Sequence, residues 1–141
     1  MQRTATAQWK GGLKDGKGTV STQSGVLSQT QYSFSTRFEN GIGTNPEELV
    51  AAAHAGCFSM ALSGQLGNAS MTAQTIDTKA TLTFEKTDAG FTVTAIHLDV
   101  KARIPGGNKA AFDKAADEAK KTCPISRLLN TKISMTASLE S

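Results

Sequence analysis

A long apolar segment in the middle of the chain constrains the fold more than any other feature. Residues 45–66 are apolar or small at nearly every position. Asn45 is suited to the N-cap, Pro46 to the first turn, and Glu48 to a capping box that closes back onto Asn45. The sequence therefore predicts one helix that begins at Asn45–Pro46 and ends near Leu66.

This predicted helix is apolar around almost its whole circumference. One side carries Leu49, Val50, Ala53, Cys57, Met60 and Ala61, and the other carries Ala51, Ala55, Phe58 and Leu62. A helix without a polar face has to be covered on all sides, and a sheet built from a 141-residue chain covers only one of them. We therefore expect a second copy of the chain to cover the rest, which predicts a homodimer formed through this helix.

Composition narrows the class of protein. The length of 141 residues suits one domain spanning residues 1–141, and 19% charged with 38% hydrophobic residues is not the composition of a disordered chain. The net charge of +3 comes from scattered lysines with a single Trp, which disfavours nucleic-acid binding. The helix is too rich in Ala, Gly and Ser for a membrane span, and the N-terminus has no signal-peptide core. We expect a soluble, cytoplasmic protein without a membrane partner.

The first third of the chain shows short segments of strand character separated by glycine turns. We predict strands at Thr4–Trp9, Thr19–Thr22 and Tyr32–Glu39 from their β-branched and aromatic residues. In the third segment the aromatic side chains alternate with polar ones. As a strand, this segment would place Arg37 on the face opposite the aromatic rings.

The second half of the chain alternates strands and helices. We predict a strand at Ile76–Lys86, a turn at 88–90, and a second strand whose alternation changes phase near Ala95–Ile96, which indicates a β-bulge. A helix at Asn108–Lys121 follows, and then a short helix that starts at Pro124. The last strand carries alternating apolar residues at Ile133, Met135, Ala137 and Leu139. The predicted fold class is α+β.

The two cysteines are the residues that most invite a chemical interpretation. Cys57 lies in the apolar helix, where we expect a buried thiol, and a buried thiol is often an inert small hydrophobe. Cys123 directly precedes Pro124 and is the predicted N-cap of the short helix. There the unpaired amides and the helix dipole favour a thiolate. The two thiols are therefore candidates for a redox pair.

A metal site is the competing interpretation of the same residues. His54 and Cys57 share a helix face, and Cys123 with His97 would complete a set of two cysteines and two histidines. The closely spaced CxxC or HxxxH pair that zinc sites usually show does not occur here. A nucleophile elbow and a phosphate-binding glycine motif are also missing. We therefore predict neither a metal nor a cofactor.

Specific segments of the sequence resemble a known family. Residues 44–49, 51–62 and 123–126 look like the signature segments of the OsmC/Ohr family of organic hydroperoxide reductases, and both cysteines stand in their expected flanking sequence. Residues 18–22, 25–27 and 36–39 resemble the OsmC branch more than the Ohr branch. The resemblance covers nearly the whole chain and agrees with the predicted order of elements.

The resemblance implies a fold, a reaction and a set of site residues. The implied fold wraps strands around the long central helix in an intertwined homodimer with two sites at its interface. Cys57 would be the peroxidatic cysteine and Cys123 the resolving cysteine, with Arg37 and Glu47 in the pocket. The implied partners are an organic hydroperoxide and a dithiol reductant of the lipoyl type. The alternative is a non-enzymatic small-molecule-binding or stress protein whose thiols are structural.

Helix geometry adds a prediction about how such a site is completed. A buried Cys57 needs a cation to become a thiolate, and Arg37, held by Glu47, is the candidate. Glu47 and Cys57 are ten positions apart, which in one helix is about 15 Å of rise and roughly 80° of rotation. A single Arg37 would not easily touch both residues of one chain. We therefore predict that one of the three residues comes from the other subunit.

Overall fold

Two three-stranded sheets organise the chain, one in each of two structural units. The computed structural model describes residues 1–141, and the units divide after Leu49. The first unit contains strands β1 (Ala5–Lys10), β2 (Lys17–Thr22) and β3 (Thr30–Tyr32) in an antiparallel sheet of that order. The predicted strands at the N-terminus are thus confirmed for the first two segments.

A pair of aromatic rings packs over this first sheet. The rings of Trp9 and Tyr32 have their centroids 5.5 Å apart, and Gly18 lies beneath them. A Cβ atom at position 18 would overlap the ring atoms of both residues, so the rings close over the backbone only because residue 18 is glycine.

The predicted strand at Tyr32–Glu39 is wrong beyond Tyr32. Residues Phe34–Phe38 form a short helix, α1, that begins after a complete capping box. Ser33 accepts from the Thr36 amide at 3.3 Å, and Thr36 Oγ1 accepts from the Ser33 amide at 2.8 Å. These local hydrogen bonds outweigh the β-propensity of the alternating aromatic residues. Arg37 therefore lies in the last turn of a helix and not on a strand face.

The long helix begins as its sequence predicts. Helix α2 spans Pro46–Asn68, and the side chain of Asn45 accepts a hydrogen bond from the Glu48 amide at 2.8 Å. The same Asn45 side chain donates to the carbonyl of Thr36 at 3.1 Å, which attaches the start of α2 to α1. The Glu48 carboxylate accepts a hydrogen bond from the Thr44 hydroxyl at 2.6 Å, where the capping box predicted a bond from the Asn45 amide.

The second unit combines a mixed sheet with two further helices. Strands β4 (Thr75–Thr87) and β5 (Gly90–Arg103) pair antiparallel, and β5 pairs in parallel with β6 (Lys132–Glu140). Parallel neighbours need a long crossover, which helices α3 (Lys109–Thr122) and α4 (Pro124–Leu128) supply. The register shift lies opposite Thr83–Phe84, between Val93 and Ala95. It confirms the predicted bulge to within about one residue.

The core of the second unit lies between α2, α3 and one face of the sheet. Helix α2 contributes a single buried stripe of His54, Phe58, Leu62 and Leu66. The even-numbered residues of β5 and the buried apolar residues of α3 pack against it, including Ile96, Leu98, Val100, Phe112, Ala116 and Ala119. The α+β class and the long central helix are confirmed. The chain itself covers α2 on one side only.

Candidate active site

The two cysteine thiols lie in contact. The Sγ atoms of Cys57 and Cys123 are 2.8 Å apart although the residues are 66 positions apart in the sequence. Cys57 lies on α2, Cys123 connects α3 to α4, and both are unpaired thiols. The predicted burial of Cys57 is only partial, because this side chain is half-buried, whereas Cys123 has no exposed surface. Cys57 is therefore the sulfur that a reagent from solvent reaches first.

The surroundings of the Cys57 thiol shift its pKa in both directions. Desolvation raises its pKa most, and the hydrogen bond from the Cys123 thiol raises it further. The backbone amide of Ile125 donates a hydrogen bond to the same sulfur and acts in the opposite direction. Without an added cation, the balance keeps Cys57 protonated.

The first turn of α4 serves Cys57 rather than Cys123. Cys123 is the N-cap of α4, as predicted, but its side chain makes no capping hydrogen bond. The Ile125 amide in that turn bonds the Cys57 sulfur. The Cys123 sulfur itself contacts the Cys57 sulfur.

A buried histidine joins the same two segments. His54 Nε2 lies 2.7 Å from Ser126 Oγ, and both residues are buried. Burial lowers the pKa of His54, so the ring is neutral at physiological pH. From the sequence, His54 is a candidate ligand of the alternative metal site, and no role is predicted for Ser126. The available signal was the spacing, since His54 is three residues from Cys57 and Ser126 is three residues from Cys123.

Arg37 and Glu47 form an ion pair within the first unit. The guanidinium Nε and Nη2 atoms donate to Glu47 Oε1 at 2.9 and 2.7 Å, and Nε also lies 3.2 Å from Oε2. The two side chains are 40% and 13% exposed. Glu47 also occupies the acidic first turn of α2. The structure thus places two predicted site residues together in one unit, and Cys57 with Cys123 in the other.

The candidate ligands of the alternative metal site do not form a metal-binding group. His97 lies on β5, where Nδ1 is 2.6 Å from Ser134 Oγ and Nε2 is 3.2 Å from Thr136 Oγ1. Residues 1–141 contain no group of three or more His, Cys, Asp or Glu side chains placed to hold a metal ion.

The fold and the thiol pair define a class of protein. This is an α+β protein with a long central helix that carries one cysteine against a second cysteine at the start of a one-turn helix. Comparison with known proteins identifies the family: residues 38–138 match the model of OsmC-like proteins. The chain belongs to the OsmC-like family.

Individual relatives agree with this assignment. The chain is 49% identical to Peroxiredoxin OsmC of Escherichia coli K12 over 141 residues, which cover 100% of this chain and 99% of that protein. It is 28% identical over 100 residues to an organic hydroperoxide resistance protein of Xanthomonas axonopodis pv. citri, covering 70% and 68% of the two chains. An OsmC-like protein of Mycoplasma pneumoniae shares the fold at 17% identity, with a TM-score of 0.79 over 100% of this chain and 99% of that chain.

Proposed function

We propose that this protein is a thiol-dependent peroxidase that reduces organic hydroperoxides to alcohols. The observation that carries the proposal is the contact between the Cys57 and Cys123 sulfurs at 2.8 Å. The 49% identical relative is a peroxiredoxin, and another relative is named for organic hydroperoxide resistance. A reactive thiol beside a resolving thiol is the arrangement that such chemistry requires.

The reaction starts at the more accessible sulfur. The Cys57 thiolate attacks one oxygen of the hydroperoxide, the O–O bond breaks, and the alkoxide leaves with the electron pair and is protonated to the alcohol. Cys57 becomes a sulfenic acid. The Cys123 thiol then condenses with it, forming a disulfide and releasing water. An external dithiol, possessing two thiols as a lipoyl group does, reduces the disulfide by thiol–disulfide exchange.

Arg37 and Glu47 are proposed as the charged part of the site. A raised Cys57 pKa needs a nearby cation to generate thiolate, and the guanidinium remains charged in a desolvated pocket. The same group is suited to stabilise the leaving alkoxide. Glu47 fixes the guanidinium through two of its nitrogens, so the cation would be oriented before the substrate arrives.

A second copy of the chain is proposed to complete the site. Met60 on α2 is 80% exposed, and Gly56 and Gly64 face open space. A groove of about 640 Å³ lies alongside, lined by Ala55, Gly56 and Ser59 of α2 and by residues of β4, β5 and β6. An uncovered apolar helix beside an empty groove supports a homodimer.

The length of α2 supports a shared site in that dimer. Glu47 and Cys57 are separated by about 15 Å along one helix, while Arg37 is hydrogen-bonded to Glu47 in the same chain. We therefore assign the Arg37–Glu47 pair to the Cys57 of the other copy. In this arrangement each dimer holds two identical sites, and neither copy is active alone. We also propose that the protein works in the cytoplasm, where dithiol reductants keep both thiols reduced.

The test is the reaction of the reduced protein with a stoichiometric amount of an alkyl hydroperoxide. A peroxidase loses both thiols rapidly, one equivalent of alcohol appears, and a chelator has no effect. A binding or stress protein with structural thiols retains them. A metal-dependent enzyme loses its activity when the chelator is added, so the three classes give three different results.

A further inference from the structure

A second polar link joins the two thiol-bearing segments close to the thiols. His54 lies three residues before Cys57 on α2, and Ser126 lies three residues after Cys123 in α4. His54 Nε2 and Ser126 Oγ are 2.7 Å apart. The segments therefore run antiparallel at this point and meet twice, once through the sulfurs and once through the imidazole and the hydroxyl.

Helix α4 needs such contacts to keep its position. It is a single turn of five residues, Pro124–Leu128, and a helix of that length has no stability of its own. This turn carries the Ile125 amide that donates to the Cys57 sulfur, and it begins at Cys123. A small shift of α4 would therefore move both groups away from Cys57 together.

We propose that His54 and Ser126 are a positioning pair that holds the first turn of α4 against α2 and thereby sets the rate at which Cys123 resolves the Cys57 sulfenic acid. The proposal rests on the peroxidase function above. The pair includes neither sulfur and so does not depend on their redox state, whereas the thiol–thiol contact involves the atom that is oxidised. The imidazole–hydroxyl link therefore keeps α4 in place between the oxidation of Cys57 and the formation of the disulfide.

The resolving step shows why position matters. The Cys123 sulfur forms a bond to the Cys57 sulfur, the S–O bond of the sulfenic acid breaks, and the hydroxide leaves with the electron pair and takes up the thiol proton as water. Cys123 has to approach along the line of the breaking bond. In an intramolecular reaction, a displacement of about 1 Å costs up to a hundredfold in rate.

The state of the imidazole agrees with a positioning role. His54 is fully buried and Nδ1 has no hydrogen-bond partner. An unpaired lone pair is tolerated better in the interior than an unpaired N–H. The proton of the neutral ring therefore lies on Nε2, which donates to Ser126 Oγ. A group that donates from a rigid ring fixes both the distance and the direction of the link.

Single-turnover measurements on the full protein test the proposal with matched variants. Ser126→Thr keeps the hydroxyl. Ser126→Val introduces a side chain of the same shape as threonine but without a hydroxyl. Each reduced protein receives one equivalent of alkyl hydroperoxide, and a 1,3-diketone trap added at increasing times reports the sulfenic acid. We expect Ser126→Val to slow disulfide formation by about tenfold or more, while Ser126→Thr retains most of the wild-type rate.

The control is a second histidine–serine pair in the same unit. Ser134 Oγ lies 2.6 Å from His97 Nδ1 on the sheet, so Ser134→Ala removes a comparable hydrogen bond away from the thiols. This variant should form the disulfide at the wild-type rate. Equal resolution rates in Ser126→Thr and Ser126→Val overturn the positioning role. If wild-type thiols do not react with the hydroperoxide at all, the peroxidase function itself is contradicted, and this proposal with it.

If Ser126→Val does not fold, a second pair of variants, at His54, tests the positioning role. In His54→Gln the side-chain amide reaches the place of Nε2, whereas in His54→Asn it reaches only the place of Nδ1. Both introduce a polar amide at the same position. We expect His54→Gln to form the disulfide faster than His54→Asn, and equal rates overturn the positioning role.

Discussion

Arg37 and Glu47 are joined by a bidentate contact, with the Nε and Nη2 atoms of the guanidinium donating to Oε1 at 2.9 and 2.7 Å. This pair connects the end of α1 to the first turn of α2. It would orient a positive charge without a contribution from substrate. In the proposed dimer that charge is what makes the Cys57 of the other copy reactive.

Replacing Arg37 should abolish most of the peroxidase activity while leaving the fold intact. Loss of a group that stabilises developing negative charge typically costs about a hundredfold or more in rate, whereas a partly exposed ion pair contributes only about 0–1 kcal/mol to stability. The rate constant with an alkyl hydroperoxide and the urea midpoint of Arg37→Ala test both statements. Arg103→Ala, at the end of β5, is the matched control. Full activity in Arg37→Ala would remove this residue from the site.

The same variant should shift the pH dependence of the reaction. Desolvation, followed by the Cys123 hydrogen bond, raises the pKa of Cys57, so the thiolate fraction and the rate increase as the pH rises. A nearby guanidinium opposes this shift. Without Arg37 the midpoint of the pH–rate profile should therefore move to higher pH. Coincident profiles for wild type and Arg37→Ala would show that Arg37 does not act on the thiol.

His54 should make the protein less stable in mild acid. Burial depresses its folded-state pKa, so below the unfolded value of about 6.5 the unfolded chain gains a proton that the folded chain does not. The stability that neutral His54 contributes is complete above about pH 6.5. It falls as the pH decreases from the unfolded-state pKa to the folded-state pKa of His54, and below that range it no longer changes. Urea unfolding of wild type and His54→Gln at a series of pH values checks this. The stability difference between the two should change only within that interval.

Truncation of the buried stripe of α2 should be costly. Leu62 has no exposed surface and packs in the core of the second unit, and such Leu→Ala changes cost about 2–5 kcal/mol. Val26 is highly exposed, so Val26→Ala should change stability by less than about 0.5 kcal/mol. Denaturant unfolding at one fixed protein concentration measures both. A small effect of Leu62→Ala would contradict the assignment of this face to the core.

The uncovered face of α2 should control assembly. Met60 lies on that face beside Gly56 and Gly64, and a charge there would have to be buried in the proposed dimer. Met60→Glu should therefore give a monomer in sedimentation experiments at micromolar concentration, with folded secondary structure and little peroxidase activity. Val26→Glu introduces the same charge at another exposed apolar position and should remain dimeric. A wild-type monomer would contradict the dimer directly.

Local signals account for what could be predicted from the sequence. The Asn45 N-cap, the alternation of β4 and the change of phase near Ala95 each depend on residues close in the chain, and each is confirmed. The aromatic alternation of residues 34–38 favours a strand, but the structure has a Ser33–Thr36 capping box that starts a helix there. Here the competing local hydrogen bonds decide the structure.

Features that join distant parts of the chain were harder to predict from the sequence. The parallel pairing of β5 with β6 and the link between His54 and Ser126 join residues far apart in the sequence. No local pattern indicates the strand pairing, and the only sequence signal for His54 and Ser126 is their equal spacing from the two cysteines. The burial of Cys123 also depends on how α3 and α4 pack. The positions of the two cysteines already indicate a candidate redox pair, the family resemblance implies their separate roles, and the structure adds that their sulfurs meet.

The central claim is that Cys57 is oxidised by the hydroperoxide and Cys123 resolves it. The most direct measurement is the intact mass of reduced Cys123→Ser protein after one equivalent of alkyl hydroperoxide, followed by peptide mapping. We predict a gain of one oxygen on Cys57 that a sulfenic acid trap captures, whereas wild type loses two hydrogens and links Cys57 to Cys123. An unmodified Cys57 in the variant, together with two intact thiols in wild type, would contradict the account.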